Sequence, residues 1–122
     1  MKFAQERQDE GYVITSYDDD TVSINGKPFV NSLIISSQRL DENWNLSAIE
    51  MLAATHIEEI LAFNPELIII GTGNKLKFPP VESYSAAISH GIGIDFMDTR
   101  AACRTYNILM SENRNIVAGL IL

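Results

Sequence analysis

The sequence predicts an α/β fold on a mostly parallel sheet, and three observations predict it. From Leu33 onward, apolar runs of strand length alternate with stripes of helical period. The N-terminal third instead alternates at the period of two and carries Asn25-Gly26, the strongest short hairpin signal. At 122 residues the chain has the size of one domain and can bury a core without disulfides or a metal, so residues 1–122 are read as one domain.

Taken in order, Tyr12 to Tyr17 reads as a first strand and Asp18-Asp19-Asp20 as a polar turn. Thr21 to Ile24 forms a second strand with Val22 and Ile24 on one face. Asn25-Gly26 turns the chain, and Pro28 makes the return strand an edge or a strand start, because proline cannot donate to a ladder. Leu33-Ile34-Ile35 is a buried strand, and Leu40 to Leu46 a polar connection holding Trp44. Ser47 and Glu50 spell a capping box for a helix to about Phe63, with Ile49, Leu52, Ala53, Ile57 and Ile60 as its apolar stripe. Asn64-Pro65 ends it.

Leu67 to Ile70 is continuously apolar, the pattern of a strand covered on both faces. Pro79-Pro80 opens the next helix, which presents Val81, Tyr84, Ala87 and Ile88 inward and ends before Gly91. Ile92 to Met97 is a strand, Asp98 or Thr99 caps a third helix to about Met110, and Asn115 to Leu122 is a last strand of either direction. Helical crossovers between strands imply parallel neighbours and right-handed connections.

Composition narrows the function classes. Nine basic and sixteen acidic residues give a formal charge of −7, which repels phosphate backbones and disfavours nucleic-acid binding. No apolar run reaches the length of a bilayer span. The first ten residues lack the apolar stretch of a secretory signal, and their acids argue against a transit peptide, so the expectation is a cytoplasmic protein. A lone cysteine, Cys103, suits a reducing compartment.

Open α/β sheets bind ligands outside the carboxyl ends of their strands. Two such ends carry unusual residues: Gly71-Thr72-Gly73-Asn74-Lys75, and Asp98-Thr99-Arg100 continuing to Arg104. Glycines let a backbone approach a ligand, and the free N–H groups of a helix start attract anions. Arg100 and Arg104 share a helix face that Asn107 and Ser111 extend. The same residues also read as a tight turn and a helix cap, because Gly-x-Gly without a helix opening at Gly73 is not a dinucleotide fingerprint.

Other chemistries lack their residues. His56 and His90 lie on different helices without ligand partners at metal spacing, so no metal and no cofactor are expected. His56 falls on an apolar stripe and reads as a satisfied core or interface histidine, and His90 as a helix-end residue. Cys103, flanked by Ala101 and Ala102, reads as buried and inert. There is neither a nucleophile elbow nor a P-loop. Trp44 is either an exposed interface anchor or a lid over a sheet edge.

The runs Ile69-Ile70-Gly71-Thr72-Gly73, Phe78-Pro79-Pro80, Met97-Asp98-Thr99 and Ala101-Ala102-Cys103-Arg104-Thr105-Tyr106-Asn107 resemble a family long labelled as a domain of unknown function. That family includes mitochondrial complex I assembly factor 3 and an adipogenesis-associated protein, and the resemblance extends from Tyr12 to the end. It implies a three-layer fold around a central mixed sheet with one strand antiparallel to the rest, and a small N-terminal antiparallel β layer. It also implies no established enzymatic activity. The mitochondrial relative helps assemble respiratory complex I through protein contacts, and this chain resembles the bacterial, cytoplasmic branch. Two functions follow as expectations: a non-catalytic interaction or assembly protein, with another protein as partner, or a small-molecule or anion-binding domain using the rim.

Overall fold

The computed structural model describes residues 11–122. The expectation that residues 1–10 carry neither a secretory signal nor a transit peptide falls outside the described residues. The N-terminal third folds as a meander of β1 (Ile14–Tyr17), β2 (Val22–Ile24) and β3 (Lys27–Phe29). Asn25 at φ 50° and Gly26 at φ 88° make the two-residue turn, the backbone such a turn requires. Pro28 sits opposite Ser23 on the outer strand, where a missing N–H breaks no ladder.

The larger sheet runs β5-β4-β8-β6-β7. Its strands are β4 (Leu33–Ile35), β5 (Leu40–Asp41), β6 (Leu67–Gly71), β7 (Gly93–Met97) and β8 (Ile116–Leu120). β6 is parallel to β7 and to β8, while β4 is antiparallel to both β8 and β5. Only β4 therefore runs against the rest, which makes the sheet mixed, and the last strand is parallel to its neighbour β6.

Successive side chains of a strand point to opposite faces, and each face has its own cover. Ile34, Ile68, Ile70 and Val117 pack with Trp44, Ile49, Leu52, Ile57 and Ile60 on one side. That side is roofed by α1 (Ala54–Leu61) and α2 (Ser85–Ser89). On the other side Leu33, Ile35, Ile69, Ala118 and Leu120 meet Ala102, Cys103 and Tyr106 of α3 (Thr99–Met110) and Ile14, Val22 and Ile24 of the small sheet. The result is three layers. Each fully buried isoleucine of β6 contributes about 1.5–3 kcal/mol of transfer free energy.

Three readings of the sequence are corrected. The helix expected from Ser47 is split into a 3-10 turn, Ile49–Met51, and α1, because Leu52 turns extended (φ −59°, ψ 129°) and drops into the core. The Ser47–Glu50 capping box does not form: Glu50 bonds Lys77 at 2.8 Å instead. The acceptor at the true helix start is the imidazole of His56, whose Nδ1 takes the Ala53 N–H at 2.9 Å. The helix expected from Pro79-Pro80 is likewise a 3-10 turn, Val81–Tyr84, followed by α2. That break rotates the stripe, so Ala87 is buried while Val81 and Ile88 are exposed. Finally, Leu40–Asp41 is not a bare connection but pairs with β4.

Candidate functional site at the sheet rim

β6 and β7 are parallel neighbours, so the loops that leave them share one rim. The first leads toward α2 and the second directly into α3, on opposite faces of the sheet. Such a divergence is where α/β sheets open a crevice. Here the loops bond to each other. Thr72 N–H donates to the Met97 carbonyl at 2.8 Å and Thr99 N–H to the Gly73 carbonyl at 2.9 Å. The buried Thr99 hydroxyl accepts the Gly73 N–H at 2.8 Å and donates to the Ile121 carbonyl at 2.9 Å. One side chain thus ties β6, α3 and the end of β8.

The two glycines differ. A Cβ on Gly71 would stand 2.9 Å from the Thr99 Cα and 3.2 Å from the Ala102 Cβ, so glycine there admits the first turn of α3. Gly73 has φ +100° and open space around it, and serves the turn. Thr72 bonds the Lys75 carbonyl through its hydroxyl at 2.6 Å and so closes the loop on itself. Asn74 and Lys75 are exposed. Asp98 is the N-cap of α3 and accepts the Ala101 N–H at 2.9 Å. Arg100 meets Asp19 at 3.2 Å in an exposed ion pair, and Arg104 stands exposed one turn on.

The rim opens beside these bonds rather than between the loops. A cavity of about 230 Å³ lies where Thr72, Gly73 and Lys77 face Asp19, Asp20 and Glu50. Asp18-Asp19-Asp20 has the local pattern of a solvated turn, and nothing local reports that this hairpin tip folds back to a strand end in the other sheet. A second cavity, of about 390 Å³, shares Ser47 and Leu122 with the first and reaches Ser32 and Trp44. Trp44 is only 3% exposed. Its six-membered ring covers Gly119 of β8, where a Cβ would meet it at 2.7 Å. Trp44 is therefore buried rather than an exposed anchor, but it covers the central strand β8 and not a sheet edge.

Beyond the rim, the strap from Asn74 to Val81 exposes apolar side chains. Leu76 is 51%, Phe78 73% and Val81 49% exposed. The strap is held at Lys77 by Glu50, whose carboxyl that ammonium keeps below the usual range. Phe78 leans edge-on against Phe96, with ring centres 6.4 Å apart.

The histidines and the cysteine are structural in their surroundings. His56 accepts at Nδ1, so Nε2 carries the proton and donates to the Asn45 carbonyl at 2.9 Å, and the ring lies edge-on to Trp44. His90 bonds the Ala86 carbonyl through Nδ1 at 2.8 Å at the end of α2. Cys103 is buried, and burial pushes its thiol up to about 12. Among the described residues no three His, Cys, Asp or Glu side chains gather as a metal cluster.

A family described as "Protein of unknown function (DUF498/DUF598)" matches residues 14–121. The 13 kDa major membrane protein of Francisella tularensis is 38% identical over 89 residues, covering 73% of this chain and 72% of that one. NADH dehydrogenase [ubiquinone] 1 alpha subcomplex assembly factor 3 of Danio rerio is 27% identical over 123 residues, covering 99% of this chain and 70% of that one. A crystal structure of a Bordetella parapertussis protein superposes with a TM-score of 0.85 at 28% identity, covering 90% of this chain and 94% of that one. Among the described residues no helix is long and apolar enough to cross a membrane.

Proposed function

The chain belongs to the family of unknown function DUF498/DUF598, and from that premise we propose that it is a non-catalytic, cytoplasmic partner-binding protein that assists assembly of a respiratory complex. The observation that carries this reading is the apolar strap: Leu76, Phe78 and Val81 stand out from one short segment whose base is pinned by the Lys77–Glu50 pair. Exposed apolar patches rimmed by polar residues are a mark of protein contact sites. The relative whose name is an assembly factor of NADH dehydrogenase supports the choice of partner. The buried Cys103 fits a reducing compartment. The core that α3, the large sheet and the small sheet share supports reading the chain as one domain.

Deleting the gene in the native host tests it. Accumulation of incomplete NADH dehydrogenase assemblies, restored by the wild-type chain but not by Phe78→Ser, is the expected result. Normal assembly of that complex in the deletion strain overturns the reading.

A second reading keeps Gly71, Thr72, Gly73, Asn74, Lys75, Asp98, Thr99, Arg100 and Arg104 as an anion or small-molecule rim. Lys75 on the loop after β6, and Arg100 and Arg104 on the helix after β7, are exposed beyond neighbouring parallel strand ends, which favours it. Phosphate added to the labelled protein would then shift the amides of residues 71–74 and 98–102. Unmoved amides throughout eliminate it.

A further inference from the structure

The two sheets have four edges, and three of them are blunted against further pairing. β5 is two residues long, β3 carries Pro28, and the Asn107 carboxamide occupies both main-chain groups of Ile14 on β1. β7 differs: it has five residues, no proline, and a neighbour strand on one side alone, β6. Its Met97 carbonyl takes the Thr72 N–H, so Gly93, Asp95 and Met97 turn their main-chain groups toward β6. Ile94 and Phe96 turn theirs outward, and among the described residues no main-chain or side-chain group bonds to them. The side chains divide by face. Ile94 and Phe96 lie on the side where Phe78 and Tyr84 pack on Phe96, and the Phe78 ring is exposed there. Asp95 points to the other face, is exposed, and has no ion-pair partner among the described residues.

We propose that β7 accepts an extended segment of another protein as a further strand, with a basic residue opposite Asp95 and apolar residues beside Ile94 and Phe96. The inference rests on the strap as a contact surface and adds the form of what binds there. An open strand edge presents alternate N–H and C=O groups that another strand matches without a change of fold. Directly opposed residues on adjacent strands point to the same face, so the partner's apolar side chains land beside Phe96, on the side of the exposed Phe78 ring. The residue between them falls on the Asp95 side, where an opposite charge is favoured and a like charge is not. That carboxylate also disfavours a second copy of this chain. The antiparallel register that pairs all five residues of two β7 strands sets Asp95 against Asp95, with Cβ atoms about 4.5–5.5 Å apart. A segment with lysine or arginine at that place is matched instead, and the chain's charge of −7 steers it inward.

The probe is a capped peptide of sequence Thr-Val-Lys-Val-Thr, which is palindromic and so offers the same side chains to β7 in either direction. A second peptide carries glutamate in place of lysine. The expected result is a saturable downfield shift and slower exchange of the Ile94 and Phe96 amide protons with the lysine peptide, and binding of the glutamate peptide weaker by about threefold or more. Asp95→Lys, a change at an exposed side chain, should invert that preference, and Phe78→Ser should weaken both peptides. The proposal is overturned if the two amides ignore the lysine peptide at millimolar concentrations, or if Asp95→Lys keeps the wild-type preference. It is equally overturned if the two amides become protected on raising the protein concentration without peptide, which would mean that two copies pair. Peptide shifts confined to residues 76–81 would keep the strap as a contact surface and remove the added strand. Normal NADH dehydrogenase assembly in the deletion strain would remove the assembly role while the strand pairing stood, so the two readings fail separately.

Discussion

The carboxamide of Asn107 grips the backbone of Ile14 at both ends, its Oδ1 accepting the N–H at 3.1 Å and its Nδ2 donating to the carbonyl at 2.7 Å. A side chain of α3 thereby substitutes for a missing neighbour strand beside β1. From the preceding residue, the buried Tyr106 hydroxyl donates to the Tyr12 carbonyl at 2.8 Å. The small sheet is thus fastened to α3 by directional bonds as well as by the apolar contacts of Ile14, Val22 and Ile24. Asn107→Ala is expected to cost about 1–3 kcal/mol in urea unfolding, because it strands a donor and an acceptor of a partly buried backbone. Asn107→Asp turns a second oxygen toward the Ile14 carbonyl. Its deficit should therefore be largest at neutral pH and shrink as the carboxyl protonates and regains a donor. A deficit that does not change between pH 7 and 4 would contradict the assignment.

The Thr99 hydroxyl makes a sharper prediction. Thr99→Val keeps the shape and leaves the Gly73 N–H and the Ile121 carbonyl without their partner. The expected cost is about 1–3 kcal/mol, and Thr99→Ser, which keeps both bonds, should lose less than half of it. Amide exchange at Gly73 should accelerate in the valine variant and not in the serine variant. Equal losses in the two would mean that the methyl group, not the hydroxyl, holds the rim.

Gly71→Ala is expected to destabilise by overpacking, about 1–3 kcal/mol, since its new methyl meets the Thr99 backbone rather than a movable side-chain end. Gly73→Ala should also destabilise, but through the backbone alone, because its φ of +100° strains any residue with a Cβ. Crystal structures of the two variants separate the cases: a displaced start of α3 is expected in the first and not in the second.

These rim residues also mark where sequence reasoning works and where it stops. The alternation of Val22 with Ile24, the apolar run Leu67 to Ile70 and the Asp98 cap were legible, because each is a local pattern with a local consequence. The pairing of the two loops at one rim was legible too, since parallel strands put their carboxyl ends together. That Thr99 would fill the space between the loops was not, because its partners Gly73 and Ile121 are remote in sequence. The helix start at Ala54 was obscured in the same way. Ser47 and Glu50 have the spacing of a capping box, but Lys77 competes for the carboxylate and His56 supplies the acceptor. The Asn107 side chain looked like a surface extension of the Arg100–Arg104 face, and only the position of β1 reveals what it holds.

The buried thiol makes stability depend on alkaline pH. Burial raises Cys103 to about 12 and moves Tyr106 upward as well. A group whose native pKa lies above its unfolded value gives stability that is complete below the unfolded pKa and is lost as pH climbs toward the native one. The window for the thiol therefore opens near about 8.5. Above it, stability should fall by up to about 1.4 kcal/mol per pH unit for that one proton. Cys103→Ala should delay the fall to about pH 10, where unfolded tyrosine begins to ionise. At pH 8 the native thiol should label with an aromatic disulfide reagent only as fast as the chain opens. Rapid labelling without denaturant would place Cys103 at the surface and remove the basis of the pH effect.

The strap yields the prediction closest to function. Phe78 touches Phe96 only edge-on and is 73% exposed, so its ring adds little to the fold. Phe78→Ser is therefore expected to change stability by no more than about 0.5 kcal/mol. If the strap is a contact surface, the same substitution should weaken partner binding far more, because aromatic anchors carry a disproportionate share of interface energy, about 2 kcal/mol or more each. Leu76→Ser should act in the same direction with a smaller effect. Lys77→Ala provides the control: the pair with Glu50 is solvent-exposed and screened, so it adds little to the fold, and its loss frees the strap without removing an apolar group. A partner that binds Phe78→Ser as tightly as the wild type, with both proteins equally folded by circular dichroism, would exclude the strap as the contact and direct attention back to the rim.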